Sequence, residues 1–375
     1  MHMLALLAAA VAASASPSPS PSPTPTPSPA PAVALHAVFS ESLAFTSGVN
    51  ATGSFDSSTG NDRSTRSNVS NAFAIVTKTA GTWQYGLQAG AYSIPTIGIA
   101  GNKTIQTGAN TDLYGPVPLA YLEYVPSGNF NVSAGVLATL TGAESTFTYE
   151  DWNIQRGAVW NVENAVSRGF RAALTQGKAV ITLGANDGFY SGKYGAEEAS
   201  VTYSPDSSDS LLFVWLDPNP RTPGNPTTSV ANKQLLNLVF TRTRGNLQLA
   251  PYILSAMSPA APSLGYTKAE NAFGGAILAN YAWTNKFSTA LRWETLHNGS
   301  GQSDTSPNAD LIGYGPGSGM SAWTLTPAWN LGHGAFFRAD FSSAHVTEFT
   351  PGLAFNADGK SANQSRIVLE LGTQL

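Results

Sequence analysis

The chain has 375 residues, of which 11% are charged, 36 are Gly and none is Cys. Disulfides and thiolate metal sites are therefore excluded, and the charge content is well under the roughly one quarter usual in a soluble domain. A net charge of −4 with only scattered Lys and Arg leaves no electrostatic footprint for nucleic acid.

Residues 1–15 read as a secretory signal peptide, with an apolar core from Leu4 to Ala13 and an Ala13-Ser14-Ala15 cleavage pattern; Met1-His2-Met3 supplies no Lys or Arg. Residues 16–32 are a Pro/Ser/Thr-rich periplasmic linker with eight prolines at alternate positions from Pro17 to Pro31. Such a run forms an extended polyproline II spacer of roughly 45 Å at about 3.1 Å per residue. A passive linker is the plainer reading, a tether or cell-wall contact the other. Beyond residue 32 no run reaches the ~18 apolar residues of a spanning helix.

From Val33 to Leu375 the period is two. Trp83, Tyr85, Leu87 and Ala89 share one face of their segment, while Gln84, Gly86, Gln88 and Gly90 share the other. The alternation predicts strands near 33–47, 69–79, 83–97, 117–126, 130–140, 166–176, 178–187 and 195–204. The second half adds 210–217, 232–243, 246–256, 270–284, 286–297, 319–330, 334–346 and 364–375. Alternation also explains a mean hydropathy of −0.07, because the two faces cancel. Connections alternate in length: tight ones such as Ala80–Thr82, Gly177 and Arg244-Gly245 against long ones such as 48–67, 98–116, 141–165 and 298–318. The expected fold is all-β, a closed antiparallel up-and-down transmembrane β-barrel over 33–375. About sixteen strands are expected (fourteen or eighteen being the alternatives), with both termini at the short-turn, periplasmic rim.

Aromatics cluster beside the short turns: Trp83, Tyr85, Tyr124, Phe130, Tyr203, Trp283, Phe287, Trp329 and Phe337. At outward parity they read as an interfacial girdle. Parity sorts the charges to the other face. Arg171, Arg292, Glu294, Arg338, Asp340, Arg366 and Glu370 are expected on the lumen wall, since an Arg facing lipid at mid-depth costs about 2–4 kcal/mol. Lys78, Glu123 and Glu198 share that face. A wall of both signs implies a hydrated bore.

The third long loop, 141–165, carries Glu144, Glu150, Asp151, Arg156 and Glu163 with Phe147, Tyr149, Trp152 and Trp160. So many rings suit a loop folded into the barrel, with Glu144, Glu150, Asp151 and Arg156 expected at a pore constriction. Here the sequence resembles a known family. Thr146-Phe-Thr-Tyr-Glu-Asp-Trp-Asn-Ile-Gln-Arg-Gly157, Ser167-Arg-Gly169 and Asn186-Asp-Gly-Phe-Tyr190 are similar to the β-barrel porin-2 (OmpL-like) family of Gram-negative outer membranes, over roughly Phe39 to Leu375. The resemblance implies a porin of about sixteen strands in the cell outer membrane, passing small hydrophilic solutes, with no cofactor. It departs at Leu375, where such barrels commonly end in Phe. Outer-membrane lipid, the barrel-assembly machinery and a homotrimer are the partners such a barrel implies.

Other classes fare worse. No catalytic residue is expected: histidines stand only at 2, 36, 297, 333 and 345. His297 beside Asn298 and Ser300 is the nearest approach to a nucleophilic site, and no spacing suits a metal. Gly313-Tyr-Gly-Pro-Gly-Ser-Gly319 lacks the Lys and the following helix of a phosphate loop and reads as a flexible loop. A secreted carbohydrate-binding β-sandwich would need its apolar faces in a core and loops of similar length at both ends. Six Asn-x-Ser/Thr sequons, among them Asn50, Asn68 and Asn102, read as chance in so polar a chain. The reading is thus a passive pore narrowed by loop 141–165, with a structural or surface-binding barrel lacking an open channel as the alternative.

Overall fold

The computed structural model describes residues 33–49, 63–99, 114–218, 233–262 and 265–375. The signal and linker expected over 1–32, and Asn50 and Asn102, lie outside the described residues. Sixteen strands form: β1 Ala34–Ser47, β2 Thr65–Lys78, β3 Trp83–Tyr92, β4 Leu119–Ser127, β5 Phe130–Ala138, β6 Val166–Gln176, β7 Ala179–Asn186 and β8 Ala196–Tyr203. They continue as β9 Asp209–Asp217, β10 Gln234–Arg244, β11 Leu247–Ser258, β12 Glu270–Ala282, β13 Phe287–Asn298, β14 Gly319–Gly332, β15 Ala335–Thr347 and β16 Asn363–Gln374.

Every strand pairs antiparallel with its sequence neighbours, and β1 closes on β16 from Val38↔Gln374 to Ser47↔Ser365. The last residue extends the seam, Leu375 N donating to Ala37 O at 2.9 Å. Closure leaves no free sheet edge, which hydrocarbon does not tolerate. Among the described residues no helix is long and apolar enough to cross a membrane; this chain crosses with strands.

Alternation sorts the wall. Leu291, Trp293, Phe341, Ile367 and Leu371 are exposed on the outer face, while Arg292, Glu294, Asp340, Arg366 and Glu370 are buried on the inner one. At the short-turn end the outer face carries ring pairs: Trp83–Tyr124 at 4.8 Å, Tyr281–Trp283 at 4.6 Å and Phe287–Trp329 at 5.2 Å between centroids. Rings at that height meet acyl chains and headgroups together.

One expected strand is shorter than its pattern. The alternation of 83–97 ends as wall at Tyr92. Pro95 cannot donate to a ladder, and Gly90 adopts φ +153 with no room for a Cβ against the carbonyl of Ala72. After a last bond to β2, Ser93 N to Ser70 O at 3.1 Å, the chain pairs instead with the third loop. Arg156 N donates to Pro95 O at 2.8 Å and Ile97 N to Arg156 O at 3.0 Å, a parallel bridge.

The buried core lies inside the barrel. Inward Leu216, Leu235, Val239, Leu254, Ala276 and Leu296 pack with Ile97, Val159, Val162, Leu311 and Tyr314 from the loops. A second cluster joins Phe73 and Tyr92 to Phe147, Ile94 and Trp160.

Candidate functional site

The third loop leaves β5 and returns to β6 through a closed neck. Thr139 N donates to Ala165 O at 2.9 Å and Thr139 Oγ1 to Asn164 Oδ1 at 3.0 Å. Two short 3-10 turns, Thr148–Glu150 and Val159–Val162, keep it compact. Its rings pack as composition suggested: Phe147 meets Phe73 edge-on at 5.0 Å and Tyr92 at 5.2 Å.

The polar contacts join it to inward side chains from much of the wall. Arg292 of β13 donates to Glu144 Oε1 and to Gln155 O, both at 2.6 Å, with Glu294 at 3.2 Å from its Nε. Glu294 also accepts from Val159 N at 3.0 Å. Asp340 of β15 accepts from Ile154 N at 3.1 Å and Gln155 N at 2.8 Å, with Thr326 Oγ1 at 2.6 Å. Arg338 donates to Asp151 O at 2.6 Å and Thr148 O at 2.9 Å, and ion-pairs with Glu370. Glu370 in turn accepts from Thr148 Oγ1 at 2.9 Å and Ser40 Oγ at 2.8 Å. Arg366 of β16 donates to Thr96 O at 3.0 Å and Gln155 Oε1 at 3.2 Å, tying the second and third loops to one wall residue.

Gly157 is required where it stands. Its N–H donates to both oxygens of Glu144, at 3.0 and 3.2 Å, and a Cβ there would strike the carboxylates of Glu294 and Glu144.

The residues expected at a constriction divide by role. Arg156 is fully buried within its own loop, donating to Ser145 O at 2.9 Å and Ile154 O at 2.9 Å and pairing with Asp151. Glu144 is 4% exposed and occupied by Arg292 and Gly157. Glu150 is half-buried, and the side chain of Asp151 is buried against Arg156. Burial pushes the Glu150 carboxyl up to about 7, against a lowering contact from Tyr149. Burial likewise lifts Asp151 to about 7, opposed by Arg156. Glu163 is raised by burial and by the nearby charge of Glu144.

The expected wall residues point inward, none more than 8% exposed. Arg292, Glu294, Arg338, Asp340, Arg366 and Glu370 meet the loop, so contact and not open water surrounds them. Arg171 stands apart, paired with Glu198 across β6–β8. Neutral members of the network, Ser40, Gln155, Thr326 and Asn71, whose Nδ2 donates to Ser40 Oγ at 2.8 Å, were invisible to charge parity. The Gly-rich 313–319 segment, expected to be flexible, is pinned: Asp310 accepts from Gly313 N at 2.8 Å and Gly315 N at 2.8 Å.

Buried ion pairs are costly unless every lone pair is satisfied. Here backbone N–H groups of the loop bind the carboxylates and backbone carbonyls bind the guanidiniums, although Arg156 Nε finds no hydrogen-bond partner among the described residues. The result is a clamp between loop and wall.

Sixteen antiparallel strands closed on themselves, greasy outside and charged within, define an outer-membrane β-barrel of the porin type. The family model described as "Putative beta-barrel porin-2, OmpL-like" matches residues 43–375. The chain belongs to that family, and with it to the Gram-negative outer membrane.

Solved structures agree in fold. The outer-membrane channel DcaP of Acinetobacter baumannii superposes with TM-score 0.59 at 10% identity, covering 92% of this chain and 97% of that one. OmpT of Vibrio cholerae in its trimer form gives TM-score 0.56 at 10% identity, over 92% and 99% of the two chains. Nothing among curated proteins matches the sequence.

Proposed function

We propose that the protein is a diffusion porin: small hydrophilic solutes or ions pass down their gradients through the barrel, and loop 141–165 forms the narrow part of the path. The observation that carries this reading is the clamp of Glu144, Gln155 and Ile154 onto Arg292 and Asp340, which fixes the loop against the inner wall. A loop held by buried charge pairs sets a bore of constant width. Glu150, a half-buried carboxylate, is then the loop charge left to influence passing ions, Asp151 being paired with Arg156. Removing Tyr149–Trp160 is expected to raise single-channel conductance several-fold in planar bilayers. An unchanged conductance rejects the constriction role.

A second reading is favoured by one observation. The inner face of β9–β13 is apolar and packed at the long-loop end, with Leu216, Leu235, Leu254 and Leu296 buried. A barrel filled there is a structural or surface-binding element without an open channel. The same recording decides: wild-type protein that yields no steps in conductance supports the closed barrel.

Assembly as a homotrimer in outer-membrane lipid completes the proposal. Its support is Glu41, an outward, exposed carboxylate in the middle of β1 that bonds Ser67 Oγ at 2.6 Å. A carboxylate at that depth is better placed against protein than lipid. Light scattering of the detergent-solubilised protein should give three chains per particle and fewer for Glu41→Leu; a monomeric wild type rejects this.

A further inference from the structure

We propose that Glu163 is a proton-operated latch at the neck of loop 141–165: with a neutral carboxyl the two stems of the loop close on each other, and with a carboxylate they part. The latch follows from the packing; its effect on passage rests on the porin reading.

The neck is built around this side chain. One stem leaves β5 through Thr141 and Gly142, and the other returns to β6 through Glu163 and Asn164. Glu163 N donates to Trp160 O at 3.0 Å, which ends the second 3-10 turn. Its carboxyl rests on the bare Cα of Gly142, where a Cβ would strike Oε2. Gly142, at φ +82, suits glycine for its backbone as well. Its N–H donates to Asn237 Oδ1 of β10 at 3.0 Å, so the first stem is tied to the wall beside the carboxyl.

The surroundings do not favour a negative charge. Glu163 is 6% exposed, and neither carboxyl oxygen has a hydrogen-bond partner among the described residues. Its ionisable neighbours are Glu144 and Asp151 from its own loop, Glu294 from β13 and the Tyr252 hydroxyl from β11. Those three carboxylates already share two guanidiniums, Arg292 and Arg156. The other neighbours are uncharged. They are Asn237 on β10, and Gly274, Ala276 and Leu278 at central inward positions of β12, which also packs on the Val159–Val162 turn.

A buried carboxyl without a partner sheds its charge by keeping its proton. Burial and the nearby Glu144 push this one up, against a lowering contact from Tyr252. At neutral pH the side chain is therefore neutral and the neck closes. Ionisation adds a fourth negative charge to a region holding two positive ones, where low dielectric strengthens the repulsion. Moving the side chain out to water relieves it, and only neutral hydrogen bonds resist, Gly142 to Asn237 and Thr139 to Asn164. Asp340 still holds Ile154 and Gln155. The clamp thus sets the bore at neutral pH, and the neck changes it in alkali.

Backbone hydrogen exchange of the detergent-solubilised protein, corrected for the intrinsic pH dependence of exchange, tests the latch. Between pH 7 and pH 9.5 the amides of 139–146 and 160–165 are expected to lose roughly tenfold in protection, while those of 153–157 hold. Glu163→Gln keeps the shape without the charge and should show no loss. Tyr252→Phe should move the transition to higher pH, which a merely structural neck residue would not do. Lys233→Met, removing another group that titrates in this range, should leave the transition in place. Constant protection in the wild type, or an equal loss in Glu163→Gln, overturns the latch. Planar-bilayer conductance is read in parallel. A conducting barrel with an unchanging neck overturns the latch alone, and a silent barrel whose neck opens overturns the pore alone.

Discussion

The two ends of the barrel interior differ. Towards the long loops the inner face is packed: Leu216, Leu254, Arg292, Glu294 and Asp340 are buried against loop residues. Towards the short turns, Gln84, Asn131, Thr182, Thr202, Thr241, Gln248 and Asn280 point inward and stay half-buried. The same alternation that builds a continuous wall thus lines a filled half and a polar vestibule. Strand period sets which way a side chain points, and what it meets there is set by chain arriving from the loops.

The sharpest way to break this contrast is to remove one partner from the filled half. Arg292→Met leaves Glu144 and Glu294 buried without their cation, and is expected to cost about 3–5 kcal/mol in urea titrations of the lipid-reconstituted barrel. A loss under about 1 kcal/mol would mean that water reaches the clamp.

The matching change in the vestibule should be mild. Asn280 bonds Gln248 at 3.1 Å where both are half-buried, so Asn280→Ala is expected to cost about 0.5–1.5 kcal/mol in the same titration. Equal losses at the two sites would erase the distinction.

A third effect is one of pH. Glu150 and Asp151 titrate near 7 in the folded chain, against about 4 when unfolded. Between those values the folded state holds more protons, so stability falls as pH rises through the interval and levels off above it. The melting temperature should therefore be higher at pH 5.5 than at pH 7.5, and the double variant Glu150→Gln, Asp151→Asn should flatten the difference. Lys233, whose ammonium burial pulls down to about 8, changes protonation above this window. A melting temperature that rises with pH in the wild type contradicts the assignment.

Much of this was legible in the sequence. The sixteen strands fall where the period of two placed them, most ends shifting by only one or two residues, because lipid outside and polar contacts inside impose alternation along every strand. Loop 141–165 stood out by its rings and charges, and the seven wall residues took the inward parity expected of them. Its partners were not legible. Nothing local pairs Glu144 with Arg292 or Asp340 with the amides of Ile154 and Gln155, since each contact spans more than a hundred residues. The early departure of β3 left one trace, Pro95 within an alternating run.

The order of residues thus determined a closed wall, its two faces and the rim that the first and last strands share, because hydrogen bonding between neighbouring strands and side-chain direction are local rules. Only the folded molecule decided that inward charges would grip a loop instead of standing in water. That outcome depends on which distant groups share a low-dielectric interior, where each charge must find an opposite charge or a dipole.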